Sequence, residues 1–300
     1  MHTRNWAITV VVGLGLASLA TRAPAQNVFS AVGQNAIDIQ TGLDAFRADL
    51  GPIQAGPSTG LGPNNRREVN WDGVPDAFSS GGANAFPGDF FNLATGNAAG
   101  RIRGIQFTTS GTFEVSADSD SDGDGNPGPV ETLFANRHPD NDEDFAAFSA
   151  ERIFGLNGTN LLDVTFSLPG SPDVAALVRG FGAVFTDVEE DGTTKLEFFD
   201  LDDNLLATEN VPAFPLDGAA DTFKSFSFLG LSFDDAVVSR IRITNGSLDL
   251  SLVSFGAGND AVAMDDFIYG EPIAVPEPGT IGLLLVGGAV LTVARRRRAL

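Results

Sequence analysis

From Asp118 to Glu131 the chain reads DSDSDGDGNPGPVE, an alternation of carboxylates and small residues whose spacing suits a hard cation. Counted from Asp120, carboxylates fall at the first, third and fifth positions (Asp120, Asp122, Asp124), glycine at the sixth (Gly125) and Glu131 at the twelfth. In the calcium-loop pattern, side-chain oxygens surround the ion, the glycine permits a sharp turn and the last acid closes the shell. Asn126, at the seventh position, offers its backbone carbonyl. The expected cofactor is therefore Ca²⁺, at the weak extracellular end of the range, with Kd about 10⁻⁴–10⁻³ M. Binding to the folded form alone would stabilise it by mass action. A strand-like TFEVSAD precedes the loop where an entering helix would stand, and Pro127 and Pro129 stiffen its second half. A solvated acidic loop between two strands is thus the alternative.

Other groups offer less chemistry. HPDNDEDF supplies Asp140, Asp142, Glu143 and Asp144 and reads as a further loop, with a share in the same ion as the alternative; Asp265-Asp266 reads as exposed carboxylates at a strand end, with sheet-end ligands as the alternative. His138, in NRHPDND, is the one histidine beyond His2, and it reads as a polar loop residue rather than a catalytic base. No H-E-x-x-H zinc pair occurs, and Lys195 and Lys224, the only lysines, follow no glycine-rich phosphate loop. The chain has no cysteine, which excludes disulfides, thiolate metal sites and cysteine nucleophiles. Glycoside hydrolysis needs two suitably spaced carboxylates, and 39 acidic residues single out no pair. The expectation is a protein that is not an enzyme.

The formal charge is −21, from 39 acidic residues against 18 Lys plus Arg. Both ends are basic, so the body between them is more acidic still. Such a surface repels phosphate backbones, and nucleic acid is excluded as a partner.

The ends are addresses. MHTRNWAITVVVGLGLASLATRAPAQ has a basic start at Arg4, an apolar run from Ala7 to Ala20 and Ala23-Pro24-Ala25 as a cleavage site. It reads as a secretory signal peptide over 1–25, removed after Ala25. At the other end, VPEPGTIGLLLVGGAVLTVARRRRAL places Pro276-Glu277-Pro278 before an apolar run and Arg295, Arg296, Arg297 and Arg298. Ile281 to Ala294 is 14 residues, a helix about 21 Å long against a hydrocarbon core of about 30 Å. Such a short segment spans if the arginines snorkel and the bilayer thins, with the arginines held in the cytoplasm. Both ends then agree: body exported, tail caught in the inner membrane.

The order of those three parts resembles the PEP-CTERM sorting signal. The resemblance implies that an exosortase-type processing enzyme recognises Pro276-Glu277-Pro278. It also implies that the hydrophobic tail is removed during delivery to the cell surface or the extracellular space. An ordinary tail anchor containing the same tripeptide is the alternative.

The elements that would position these groups are mostly strands. Ile39, Leu43, Phe46 and Leu50 recur at helical spacing and end at Gly51-Pro52, which predicts one short helix. From residue 67 the pattern becomes short apolar runs divided by Gly, Asn, Asp and Pro. GIQFTTSGTFEVSAD and LLDVTFSLPG alternate with period two. TKLEFFDLDDNLLATE predicts a hairpin turning at Asp202-Asp203-Asn204; SFSFLGLSF, VSRIRITNGS and DAVAMDDFIYG follow. Many short strands with few helical patterns predict an all-β, two-sheet β-sandwich, jelly-roll-like, with an immunoglobulin-like arrangement as the alternative. The 24 phenylalanines would fill the space between the sheets, whereas Trp71 and Tyr269 are the candidates for an exposed, sugar-stacking aromatic. Trp71, in VNWDGVP, also reads as a core anchor beside a turn. The expected organisation is signal peptide 1–25, helix and linker 26–66, sandwich 67–272, and sorting signal with a short transmembrane helix 273–300.

REVNWDGVPDAFSS, FPGDFFN, ALVRGFGAVFTDVEEDGTTKLEFFD and AVAMDDFIYGEP together resemble an uncharacterised bacterial family of secreted β-rich proteins, often carrying this tail. The resemblance implies the fold and the export and supplies no catalytic residues. The functional expectation is an exported, non-catalytic surface or matrix protein, associated with exopolysaccharide. A carbohydrate-binding module is the alternative, with a glycoside hydrolase behind it.

Overall fold

A computed structural model describes residues 25–54, 56, 62–94, 99–117, 133–134, 137, 144–149, 151–214, 224–251 and 259–275. Two antiparallel sheets form the expected sandwich. One, sheet A, runs in the order β1 (Gln26–Gly33), β11 (Phe226–Phe233), β8 (Gly180–Thr186), β13 (Ala263–Gly270), β5 (Phe154–Asn157) and β4 (Thr112–Val115), with β2 (Arg66–Val69) also paired to β13. The other, sheet B, runs β10 (Leu205–Asn210), β9 (Lys195–Phe199), β12 (Arg240–Thr244), β6 (Leu161–Leu168), β7 (Ser171–Leu177) and β14 (Ile273–Ala274), with β3 (Ile105–Thr108) paired to β6. The Ser-Gly turn after β3 therefore carries the chain from one sheet to the other: β3 pairs with β6, and β4 with β5.

The predicted helix forms as α1 (Ala36–Leu50). Asp38 reaches back to accept the Asn35 backbone N–H at 2.9 Å, satisfying a donor the first turn leaves over. Its apolar face, Ile39, Leu43, Phe46 and Leu50, is fully buried against Val184, Phe226, Phe228 and Ile268 on the outer face of sheet A. Gly182 and Gly230 make that approach possible, because a Cβ on either would come within 2.9 Å of the Phe46 ring. The central strands β8, β11 and β13 are consequently buried on both faces.

The segment before residue 66 is part of the sandwich rather than a linker to it. β1 pairs with β11 over its whole length, and Ile53 bridges Arg66. The period-two reading missed β1, QNVFSAVG, because an edge strand with one wet face carries few apolar residues.

Between the sheets the core gathers around Trp71. Its ring stacks on Phe154 at 4.2 Å and meets Phe267 edge-on at 5.3 Å, and its indole N–H donates to the Asp265 carbonyl at 3.0 Å. Trp71 and Tyr269 are both 0 % exposed, so neither is a surface stacking platform. A buried indole or phenol needs a partner, and Tyr269 finds the Arg103 carbonyl at 3.0 Å. The predicted hairpin forms as β9–β10: Asp203 takes a positive φ of 63°, and Asp200 accepts the N–H groups of Asp202 at 2.9 Å and Asn204 at 2.8 Å.

Candidate functional site

The last strand hands the chain directly to the sorting tripeptide. β14 pairs with β7 through Ile273 opposite Leu177 and Ala274 opposite Ala176, and the Val275 N–H donates to the Ala175 carbonyl at 3.0 Å. Pro276 is the next residue. The sandwich is therefore complete one position before Pro276-Glu277-Pro278. The tripeptide, the apolar run and Arg295 to Arg298 lie outside the described residues. Among the described residues no helix is long and apolar enough to cross a membrane.

The predicted calcium loop, Asp120, Asp122, Asp124, Asn126 and Glu131, also lies outside the described residues, as do His138, Asp140, Asp142 and Glu143. The structure does describe where the chain goes next. Phe148 to Arg152 crosses the end of sheet A as a strap into β5, held by three carboxylates. Asp265 Oδ2 accepts the N–H groups of Phe148 at 2.6 Å and Ser149 at 3.2 Å. Asp72 Oδ1 accepts those of Glu151 at 3.0 Å and Arg152 at 3.1 Å. The Ser149 hydroxyl lies 2.8 Å from Asp266, 3.3 Å from Asp265 and 3.4 Å from Asp72.

Asp265-Asp266 is thus corrected from an exposed strand end to a buried anchor: the two are 0 % and 5 % exposed, within β13. A register shift between Met264 and Phe267 turns both toward the strap. Burial, then the neighbouring Asp266 charge, pushes the Asp265 carboxyl well above its usual range. Burial also pushes Asp266 up to about 6, against the Ser149 hydroxyl and the Arg47 charge. The Ser149 hydroxyl is shared among three carboxylates, while backbone N–H groups satisfy Asp265 and Asp72. No local pattern marks this cluster, because the strap's N–H groups lie more than a hundred residues away from Asp265.

A cleft of about 300 Å³ opens between Phe78–Phe86 and Thr112–Glu114, with Arg137 at its side. Glu114 is 6 % exposed and accepts from the Ser80 hydroxyl at 2.6 Å, from Arg137 and from Asn157. Both of its oxygens are engaged. One further stretch, Gly56-Pro57-Ser58-Thr59-Gly60, has the spacing of a hydrolase nucleophile turn. It follows α1 and precedes β2, the reverse of the strand-to-helix order that the turn requires, and residues 57–60 lie outside the described residues.

The comparisons with known proteins bear on the tail. A sequence model described as the PEP-CTERM protein-sorting motif matches residues 274–298, and the chain carries that motif. The motif indicates an exported protein, an exosortase substrate, sent through the membrane to the cell surface. No curated protein matches the chain. Among solved structures, it is similar to the enzymatically active domain of tailspike protein 4 of bacteriophage CBA120, at 16 % identity over 71 % of this chain and 26 % of that one. The chain thus spans about a quarter of that structure, and the TM-score of 0.26 carries no argument about fold or chemistry.

Proposed function

We propose that the protein is a non-catalytic surface or matrix β-sandwich, associated with exopolysaccharide and released from its membrane tail by an exosortase-type enzyme acting at Pro276-Glu277-Pro278. The observation that carries this reading is the position of the motif: the last strand of the described residues ends at Ala274, and the tripeptide follows after Val275. Removal of the tail would then leave a whole domain. Buried carboxylates support the non-catalytic part, because Glu114 in the cleft and Glu271 beside Arg67 are occupied by hydrogen bonds instead of facing a substrate. A general acid or base needs a proton or a lone pair within reach of the substrate.

The test is fractionation of the native host with and without its exosortase. Wild-type protein is expected at the surface with a shortened C-terminus, and full-length protein in the membrane fraction when the enzyme is deleted or Glu277 becomes Ala. Equal shortening in every strain would overturn the sorting step. The Asp120–Glu131 loop is proposed as a structural Ca²⁺ site of this exported form. Its test is the Asp122→Ala variant, expected to lose part of any calcium-dependent rise in Tm.

The second reading, a carbohydrate-binding module, is favoured by the cleft between Phe78, Phe86 and Phe113, whose volume suits a single sugar ring. A glycan array that lights up for wild type and not for Phe78→Ala would establish it in place of a purely structural role.

A further inference from the structure

Just before β3, residues 101–103 run beside residues 91–93. Asn92 bridges Ile102 in the antiparallel sense, the Leu93 N–H donates to the Arg101 carbonyl at 3.2 Å, and the Arg103 N–H donates to the Phe91 carbonyl at 3.0 Å. Ile102 is 5 % exposed and packs into the protein. Side chains alternate across an extended pair, so its two neighbours turn away from it. Arg101 and Arg103 both line one cavity of about 190 Å³, together with Asn70, Gly73, Phe90 and Phe91.

Both guanidinium groups are held in place while keeping donors to spare. The Arg101 guanidinium carbon lies 3.8 Å from the centre of the Phe90 ring, and its Nε donates to the Phe90 carbonyl at 3.1 Å. Stacking and that hydrogen bond fix the plane of the group before anything binds. Arg103 Nε donates to the Gly100 carbonyl at 3.1 Å, and its Nη1 stands 3.5 Å from the Gln54 carbonyl. The two Nη atoms of Arg101 and Nη2 of Arg103 make no hydrogen bond among the described residues.

In a chain of net charge −21, an arginine without an acid stands out. The eight other described arginines each pair with a carboxylate, as Arg67 does with Glu271 and Arg179 with Asp49. Arg101 and Arg103 pair with none among the described residues. Glu68 also lines the cavity, but its carboxylate already accepts from Arg47 at 3.0 and 2.7 Å and from Arg66 at 2.6 Å. The cavity therefore keeps an excess of positive charge and open N–H donors on an otherwise acidic molecule.

We propose that this cavity binds a carboxylate carried on a sugar ring, the uronic-acid unit of an acidic polysaccharide. The inference rests on the exopolysaccharide association proposed above and names the unit bound. A planar guanidinium presents paired donors that match the two oxygens of a carboxylate. Phe90, Phe91 and Pro75 give the wall an apolar part that suits the C–H groups of a ring, which a free inorganic anion would not use. The cavity is smaller than the roughly 300–1,000 Å³ of pockets for drug-sized ligands, so it takes one unit and not a long segment. A phosphate backbone, with one charge per about 1.7 Å, is repelled by the acidic surface beyond the cavity.

The test titrates the full-length chain in detergent with oligogalacturonate, in EDTA so that no metal bridges the acids of the protein to those of the glycan. Calorimetry is expected to show binding that weakens in about 0.5 M salt and is lost when the oligomer is methyl-esterified. Arg101→Met and Arg103→Gln should each weaken the Kd about tenfold, as the loss of a hydrogen bond to a charged group does. The Arg103 side chain bonds only to loop carbonyls, so Arg103→Gln decides if Arg101→Met fails to fold. Equal binding of acid and ester would leave the glycan association standing and overturn the carboxylate site. Inorganic phosphate bound as tightly as the oligomer would overturn the sugar. No binding to wild type, or an unchanged Kd in Arg103→Gln, would overturn the site altogether, while fractionation of the native host judges the sorting step separately.

Discussion

Strand β13 and the residue just beyond it bury acids in two different ways, one at each end. Glu271, two positions from Tyr269, is 0 % exposed and meets Arg67 through two hydrogen bonds, at 2.7 and 2.8 Å. Asp265 and Asp266, near the start of the same strand, meet backbone N–H groups, one serine hydroxyl and the flank of Arg47 at 3.5 Å. The first site holds its charge in place with an opposite charge. At the second, burial raises the pKa of both acids, and the Ser149 hydroxyl and Arg47 only partly offset it at Asp266. The difference predicts which end responds to mutation and which to pH.

The largest effect is expected from breaking the ion pair. Arg67→Met leaves a fully buried Glu271 carboxylate without its partner, which should cost about 3–5 kcal/mol in denaturant unfolding. The double variant Arg67→Met/Glu271→Leu should regain most of that, because two apolar side chains need no compensation. If the single variant unfolds no more easily than wild type, the pair is not holding β2 to the end of β13.

At the other end, Asp265→Ala removes the acceptor for two backbone N–H groups and should cost about 2–3 kcal/mol. The loss should be partly local. Hydrogen exchange at Phe148 and Ser149 is expected to accelerate more than exchange in the centre of β8. Uniform acceleration would mean that the strap opens only with the whole sandwich.

The pH response separates the ends further. Asp266 has a folded pKa raised to about 6, above its unfolded value of about 4. Its contribution is therefore fully present below about pH 4 and is lost as pH rises through 6. Between pH 5 and 8 unfolding should become easier by about 1–3 kcal/mol, and Asp266→Asn should flatten that slope. A slope that survives in Asp266→Asn would have to arise from another raised acid, such as Asp187.

How far the sequence anticipated this architecture depends on which side of the sandwich an element occupies. α1 was legible because Ile39, Leu43, Phe46 and Leu50 bury one face only. β6 and the β9–β10 hairpin were legible because, among the described residues, no helix covers the outer face of sheet B, and their side chains alternate between core and water. β8, β11 and β13 showed no alternation, since α1 covers the far side of sheet A. Their apolar runs announced strands without saying which face points where. The acids of β13 were misread for the same reason. Asp-Asp in a sequence looks wet, and only the register shift beside Met264 and the arrival of residues 148–152 make it dry. The sorting tail needed no fold at all, because its meaning lies in the order of a tripeptide, an apolar run and four arginines.

The smallest expected effect sharpens the comparison from outside the core. On sheet B, Asp163 faces water and two arginines, with hydrogen bonds at 2.9 Å from Arg240 and at 2.9 and 2.8 Å from Arg242. Partial burial raises its pKa, yet the two guanidinium groups outweigh burial and leave it below the ordinary value. The sign is opposite to that of Asp266. A depressed folded pKa stabilises above the unfolded pKa, and the contribution fades as pH falls through the folded one. Arg242 is 42 % exposed, so solvent and salt screen the pair, and Asp163→Ala should cost no more than about 1 kcal/mol at pH 7. That cost should shrink further in about 1 M salt, whereas the Arg67→Met penalty should barely move, because ions do not reach a pair with no exposed surface. Equal salt sensitivity in the two variants would erase the distinction between an arginine that neutralises a buried charge and one that decorates a sheet.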